Sequence, residues 1–439
     1  MLLPSRTLLA GATLVLAATL LPGGARPAAA GAVPADAARD DGGRLVRIAL
    51  AVGVDAPRVA ATGAWRLADA AGRPVARAAD GEGWTIERSG TRLRAVGPDG
   101  PTAWRDGMLV AQPIGLGAFL TYGPRRYRGE LRLHAAEGGV TVVNALPVEE
   151  YLRGVVPLEL NAFAPAEAAA LEAQAVAARS YTYSRLPEFL PRAQAEARAS
   201  HPFDLRATVA DQVYGGADAE RPASDRAVRA TSGLVLRFGG MVVSAPYYSA
   251  CGGSTAASGE AFGGEGQEYL RPVSDRIPGT DRHWCDPAPR FRWTRSWEGD
   301  DLQGVMERYL RRYASGDAAR AAGAPVGTVR GLVVQGHSAS GRVASLAVST
   351  DGGRYVVRSN EIRYVLRSVG GEILPSTYFS VDAAVDADGR VSRLTLRGNG
   401  NGHGVGMCQW GAIGRARAGH DFRSILRTYY PGTTVEFAE

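Results

Sequence analysis

Residues 138–185 read GGVTVVNALPVEEYLRGVVPLELNAFAPAEAAALEAQAVAARSYTYSR, a strand and two helices in immediate succession. Gly138-Gly139 marks a turn and Val140 to Val143 the strand that leaves it. Just upstream, Tyr127 to His134 alternates apolar and polar side chains, so the two strands form a hairpin. Pro147 then opens a short helix through Leu152, because a proline at the first helical turn gives up no hydrogen bond. The clearest helix starts at Pro165. Its Ala168, Leu171, Ala175, Ala178 and Thr182 recur every three or four residues, a stripe that faces a core, and Pro187 stops it. Alanines along the stripe allow close approach to a sheet. The expected class is α+β, a mixed β-sheet core with one alanine-rich packed helix plus a small β-rich N-terminal region.

That N-terminal region is the stretch from Val46 to about Ala111, short strands split by glycine turns. Downstream, strands are expected at Gly233 to Phe238 and Met241 to Tyr248, then a long loop over 252–297. A helix follows from Asp301 to Tyr313 with Asp301 as its cap, strands dominate from Gly327, and a helix over Asp421 to Tyr430 is closed by Pro431-Gly432. There is a weak internal echo: residues 352–369 repeat the strand, turn, strand, short-helix plan of 138–155. The expected division is a signal peptide (1–30), a disordered leader (31–44), the small β-rich domain (45–112), the first part of a catalytic core (113–297), an inserted α/β segment (298–380) and the rest of the core (381–439).

The composition excludes several chemistries. All 50 basic residues of the 439 are arginine. A Walker-type phosphate loop and a Schiff-base enzyme both need a lysine amine, so neither is possible. The formal charge of +6 is small for this length and forms no basic patch, so no nucleic-acid partner is expected.

Residues 1–30 have a charged head at Arg6, an apolar run from Leu8 to Leu21 and small residues ending at Ala28-Ala29-Ala30, the plan of a secretory signal peptide. The run is too short for a membrane span, which wants about 20 residues, so no integral membrane segment remains after cleavage. Export favours a disulfide between two of the three cysteines. Cys251 and Cys285, 34 apart in loop-like sequence, are the expected pair, with Cys408 buried and free. The competing reading is zinc held by Cys251, Cys285 and His283. Neither is the third possibility.

Three places can carry chemistry. Glu159 stands in GVVPLEL, where apolar neighbours strip hydration from a carboxylate and raise its pKa. An acid protonated near neutral pH is what glycoside cleavage needs. The bland alternatives are a helix cap or a pair with Arg153 or Arg179. The second place is GNGNGHGVGMCQWGA, Gly398 to Ala412, whose glycines let backbone approach a ligand. His403 and Gln409 project polar groups from it, and Trp410 offers a face for a sugar. Its glycine spacing is not that of a dinucleotide site. The third is YYSACGGSTAASGEAFGG, Tyr247 to Gly264. No GxSxG elbow accompanies its hydroxyls, so they are read as sugar-binding or capping groups.

Several strings together, YRGELRL, VVNALPVEEYLRGVVPLEL, EAAALEAQAVAARSYTY, DQVYGG, APYYSACGGSTAASGEAFGG, GNGHGVGMCQWGAIGRARAG and ILRTYYPGT, give a chain that resembles the SpoIID/LytB family over about 127–434. That family includes peptidoglycan lytic transglycosylases of the stage II sporulation protein D type and enhancers of a cell-wall amidase. The resemblance implies that Glu159, in the VVPxE string, is the transglycosylase acid. The implied substrate is the peptidoglycan glycan strand, cut between N-acetylmuramic acid and N-acetylglucosamine to leave a 1,6-anhydro end. Zinc is associated with some sporulation members through cysteines and histidines near the GGxT string. Here only Cys251 lies in that string, and Tyr247-Tyr248 stands where a histidine would be expected, so no metal is assigned.

The resulting expectation is a secreted or periplasmic enzyme at the cell wall with Glu159 as its acid and no cofactor. Arg179, Tyr181, Tyr183, Tyr248, Ser249, Thr255, His403, Gln409 and Trp410 are the expected substrate-binding residues, and Cys251 and Cys285 the disulfide. The alternative is a non-catalytic wall-binding activator of a peptidoglycan amidase.

Overall fold

The computed structural model describes residues 43–115, 117–316 and 324–438. The expected signal peptide and nearly all of the leader lie outside them. The fold is α+β, as the hairpin and helix patterns require.

The expected hairpin is present as Glu130–Ala136 and Gly139–Pro147, paired antiparallel from Glu130↔Ala145 to Ala136↔Gly139. Gly139 sits where any Cβ would come within 2.4 Å of the Val54 carbonyl oxygen, so the turn demands glycine there. The second strand is longer than its Val140–Val143 core, running to Pro147, and is buried at every position through Leu146. One polar residue in this run, Asn144, is fully bonded: its amide donates to the Arg128 and Glu130 carbonyls and its oxygen accepts from the Tyr214 hydroxyl.

Gly139–Pro147 also pairs on its other edge with Leu45–Val54, from Leu45↔Pro147 to Val54↔Val140. The seven-stranded sheet therefore runs Leu205–Arg206, Leu45–Val54, Gly139–Pro147, Glu130–Ala136, Met108–Pro113, Trp65–Asp69, Pro74–Ala78. Strands from both sides of the boundary expected at 112 share it. A second seven-stranded sheet buries its apolar side in the same core, with Trp65 and Trp84 meeting edge to face at 6.5 Å.

Helix α1 (Val148–Glu159) leaves the hairpin directly, with Pro147 as its cap residue. It is twice as long as the short helix expected and runs through Pro157, which has no N–H to give to the Arg153 carbonyl. The Leu160 N–H still closes on the Val156 carbonyl. Helix α2 (Ala168–Tyr183) is not a one-sided stripe. It is buried on almost every face, with Ala168 itself exposed. Its alanines let α1, helix Pro222–Ala230, helix Gln409–Arg417 and strand Leu234–Phe238 all approach it closely.

Residues 292–399 build a second core of their own. Strands Arg292–Glu298, Val391–Asn399 and Phe379–Val385 form one sheet, with Val391–Asn399 central. Helix Gly299–Tyr313 packs Leu302, Val305, Met306 and Leu310 against them. The helix begins earlier than expected: Glu298 is its cap, and Asp301 lies in its first turn. The chain returns to the first core after Asn399 rather than at 381, since both late strands belong to the second sheet. The last helix is Phe422–Tyr429, where the Asp421 carboxylate accepts the Ser424 N–H at 2.7 Å. No helix among the described residues is long and apolar enough to cross a membrane.

Candidate functional site

The last residue of α1 is Glu159, and it opens onto a cleft of about 1250 Å³. The walls come from distant parts of the chain: Tyr181 and Arg185 at the end of α2, Asp211 on a loop, Tyr247 to Ser249, Asn360 to Tyr364 from the second core, and Asn401 to His403 with Gln409. Glu159 and the glycine-rich segment thus line one groove. A volume this size exceeds the usual range for a drug-sized ligand and suits several sugar rings.

Two short strands bring the segments together. Tyr247–Tyr248 pairs in parallel with Met407–Cys408, so that APYYSACGG and GVGMCQW run side by side. The Gln409 amide then donates to the Glu159 backbone carbonyl at 2.9 Å and to Gln174 of α2 at 3.3 Å. Close approach explains the glycines. A Cβ on Gly402 would lie 2.6 Å from the Tyr248 Cβ, and one on Gly406 2.0 Å from the Pro246 carbonyl oxygen.

Glu159 is the electrostatically unusual group. Burial raises its pKa to about 7, against a partial offset from the Val213 N–H, which donates to Oε1 at 2.6 Å. Among the described residues it forms no ion pair. Arg153 binds Glu220 and Asp225 instead, and Arg179 binds Glu149. Gln212 holds the loop carrying Val213. Its side-chain oxygen accepts from Tyr151 and Thr182, and its amide donates to the Tyr247 hydroxyl at 2.9 Å. Two further carboxylates line the cleft, Asp211 and Glu265, and Asp211 is engaged: it accepts from the Tyr181 hydroxyl (3.1 Å) and the Arg206 N–H (2.9 Å). Burial pushes the Tyr181 phenol up to about 12, so it stays a neutral donor. The Arg185 guanidinium lies 3.4 Å from the centre of that ring.

Two comparisons bear on these segments. A family model described as Stage II sporulation protein (SpoIID) matches residues 136–238, and a domain of unknown function matches 278–406. The chain is 31% identical over 313 residues to the amidase enhancer of Bacillus subtilis, covering 65% of this chain and 40% of that protein. It is 24% identical over 304 residues to stage II sporulation protein D of the same organism, covering 68% and 76%. An uncharacterized protein of Brachyspira hyodysenteriae is 26% identical over 348 residues, covering 79% and 80%. The SpoIID match and these relatives together support the SpoIID/LytB family for this chain. The SpoIID match contains α1, α2 and the Asp211–Val213 loop, and the second match begins near the second core and ends beside Gln409. The cleft takes walls from both matched regions and from the stretch between them, Met241 to Leu270.

The structure separates the expected binding residues. Tyr181, Tyr248, Ser249, His403 and Gln409 line the cleft with Glu159. Arg179 does not. It is buried inside, gripping Glu149 with two bonds (2.6 and 2.8 Å) and donating to the Leu234 and Val228 carbonyls. Tyr183 is buried against Phe189, Thr255 accepts the Val273 N–H away from the cleft, and Trp410 packs on the core. His403 is committed to structure. Its Nδ1 accepts the Val405 N–H and its Nε2 donates to the Tyr247 carbonyl, both at 3.1 Å, and burial takes its pKa down to about 4. That neutral imidazole positions the Tyr247 backbone rather than offering a proton. Asp211, Arg185 and Arg363, all in the lining, were not among the residues read from the sequence; the DQVYGG string carried the one available signal.

The cysteines are placed unexpectedly. All three are free, with the Cys251 and Cys285 sulfurs 3.3 Å apart, and Cys408 joins them instead of standing alone. His283 is outside this group, facing Asp286 at 3.5 Å.

Proposed function

We propose that the chain is a lytic transglycosylase of peptidoglycan, exported and acting at the cell wall on the bond between N-acetylmuramic acid and N-acetylglucosamine. The observation that supports this most is Glu159: a carboxyl group with no cationic partner among the described residues, with a pKa of about 7, at the edge of a cleft of about 1250 Å³. In the protonated form it donates its proton to the glycosidic oxygen as the C1–O bond breaks and positive charge grows at C1. The carboxylate then takes the proton of the muramic C6 hydroxyl while that oxygen bonds to C1, closing the 1,6-anhydro ring and restoring the acid. The C6 hydroxyl takes the place of a water nucleophile, so one carboxylate serves both steps. The Val213 N–H holds Oε1 and leaves Oε2 without a hydrogen bond among the described residues, free for the proton that moves. Tyr181, Tyr247 and Ser249 supply faces and hydroxyls for the sugar.

Replacing Glu159→Gln keeps the size and the acceptor for Val213 but removes the transferable proton. The expected result is a fall of at least about 10²-fold in glycan cleavage, with wild-type products carrying anhydro-muramic ends by mass spectrometry. Undiminished turnover would remove Glu159 from the mechanism. Reducing ends would mean hydrolysis, for which Asp211 and Glu265 are the other carboxylates in the lining.

The relative named amidase enhancer favours a second reading, in which the same cleft binds glycan and stimulates a separate cell-wall amidase. A wild-type chain that leaves intact and peptide-stripped glycan uncut, while raising the rate of an added amidase, would establish it.

A further inference from the structure

Behind the cleft wall, four potential ligand atoms from four separate segments converge. The sulfurs of Cys251, Cys285 and Cys408 and a carboxylate oxygen of Asp275 all lie within 4.8 Å of one another, and all four side chains are buried. From this geometry we propose that they form a closed structural site for a zinc-type divalent cation, with three thiolates and one carboxylate as ligands. The proposal is independent of whether Glu159 is catalytic.

The donor set has the right number and kind of atoms. Zinc in structural sites takes four ligands in a tetrahedron and favours sulfur. With zinc–sulfur bonds of about 2.3 Å, two thiolates on one tetrahedral ion stand about 3.8 Å apart. Cys251 and Cys285 are at 3.3 Å, half an ångström from that spacing and well beyond the roughly 2.05 Å of a covalent sulfur–sulfur bond.

What surrounds the four atoms also fits an ion. Three backbone amides donate to the sulfurs: Cys251 N–H to Cys408 Sγ at 3.2 Å, Gly411 N–H to the same sulfur at 3.3 Å, and Gly253 N–H to Cys251 Sγ at 3.4 Å. Amide donors aimed at sulfur favour thiolates, the form a metal needs. Asp275 is oriented as metal-binding carboxylates are. Tyr429 (2.7 Å) and Arg415 (3.3 Å) hold its Oδ1, while Oδ2 is turned to Cys251 at 3.5 Å. Arg415 also moderates the charge, since three thiolates and a carboxylate around a divalent ion leave an excess of two negatives. Gly411 completes the cradle: a Cβ there would lie 2.0 Å from the Tyr429 hydroxyl and 2.6 Å from Asp275 Oδ2.

All four corners are protein atoms, so the site has no open position and its role is to tie segments together. Cys251 follows the cleft residues Tyr247 to Ser249, and Cys408 precedes Gln409, whose amide holds the end of α1. The ligands differ from the zinc alternative read from the sequence, since Asp275 and Cys408 replace His283.

Elemental analysis of the full chain, purified without added chelator or reductant, tests this directly. One zinc per chain is expected. Exchange for cobalt should give the sulfur-to-cobalt and d–d absorption of a tetrahedral thiolate site, and free thiols should become titratable only after a strong chelator. Cys408→Ser should lose the cobalt signature; because that variant could fail to fold, Asp275→Asn serves as the milder change, expected to alter the d–d bands and release metal to chelator faster. Metal-free protein with a Cys251–Cys285 disulfide in non-reducing peptide maps would overturn the proposal. So would a zinc content and cobalt spectrum unchanged in both variants.

Discussion

At the scale of the residue, Glu159 was legible because an acid among Val155, Val156, Pro157, Leu158 and Leu160 loses hydration wherever the backbone puts it. Its pKa of about 7 gives a pH dependence with a definite sign. The acid form is the reactive one, so cleavage should fall as pH rises through about 7, with the rate measured from pH 5 to 9. The same group affects stability. Its folded-state value lies above the unfolded one, so protonation favours the fold; full stability is present below about pH 4.5 and is lost as pH rises through about 7. The difference between 4.5 and about 7 corresponds to about 3 kcal/mol. Glu159→Gln carries no such charge, and should therefore melt higher than wild type at pH 8 while matching it near pH 4.5. Equal melting at both values would mean that Glu159 is better hydrated than its burial implies. His403 shows where residue-level reading ends. Its bond to the Tyr247 carbonyl spans 156 positions, and nothing near His403 in the chain signals it.

Elements were legible where their signals are local. Proline started α1, Asp421 capped the last helix, and the Gly138-Gly139 turn produced the hairpin. The echo read in residues 352–369 also has its physical counterpart, a strand Gly353–Arg358 followed by a short helix Ile362–Val365. What could not be read is which side chains hold one helix to another. Glu149 looks like a solvated first-turn acid, yet it is the counter-ion of Arg179, which is wholly buried in α2. Breaking a buried pair by removing one partner costs about 3–5 kcal/mol, because the other charge stays buried and uncompensated. Glu149→Ala strands the guanidinium and should lower stability by about that amount in denaturant unfolding. An unchanged midpoint would show that the Leu234 and Val228 carbonyls suffice for Arg179 without the carboxylate.

For the whole molecule, strand content was legible but strand partners were not. Alternation in Val46 to Val54 identifies a strand with one buried face, and says nothing about a partner some ninety residues later. In the fold that strand lies between Gly139–Pro147 and Leu205–Arg206, with Val46 and Ile48 fully buried. The N-terminal region is consequently part of the sheet from which α1, and hence Glu159, is launched. A chain beginning at residue 113 would leave Gly139–Pro147, buried along its length in the intact protein, with one edge unpaired, and would expose the apolar face that the missing strands cover. Unpaired apolar edges associate with other chains rather than stay open. The expected outcome is a product that aggregates or shows no cooperative thermal transition, while a chain beginning at residue 43 melts cooperatively and cleaves or binds glycan as the longer one does. If the chain beginning at 113 were monomeric by light scattering and melted at the same temperature as the longer one, the first sheet would be separable, and the strand Leu45–Val54 would be an accessory to the cleft rather than part of its foundation.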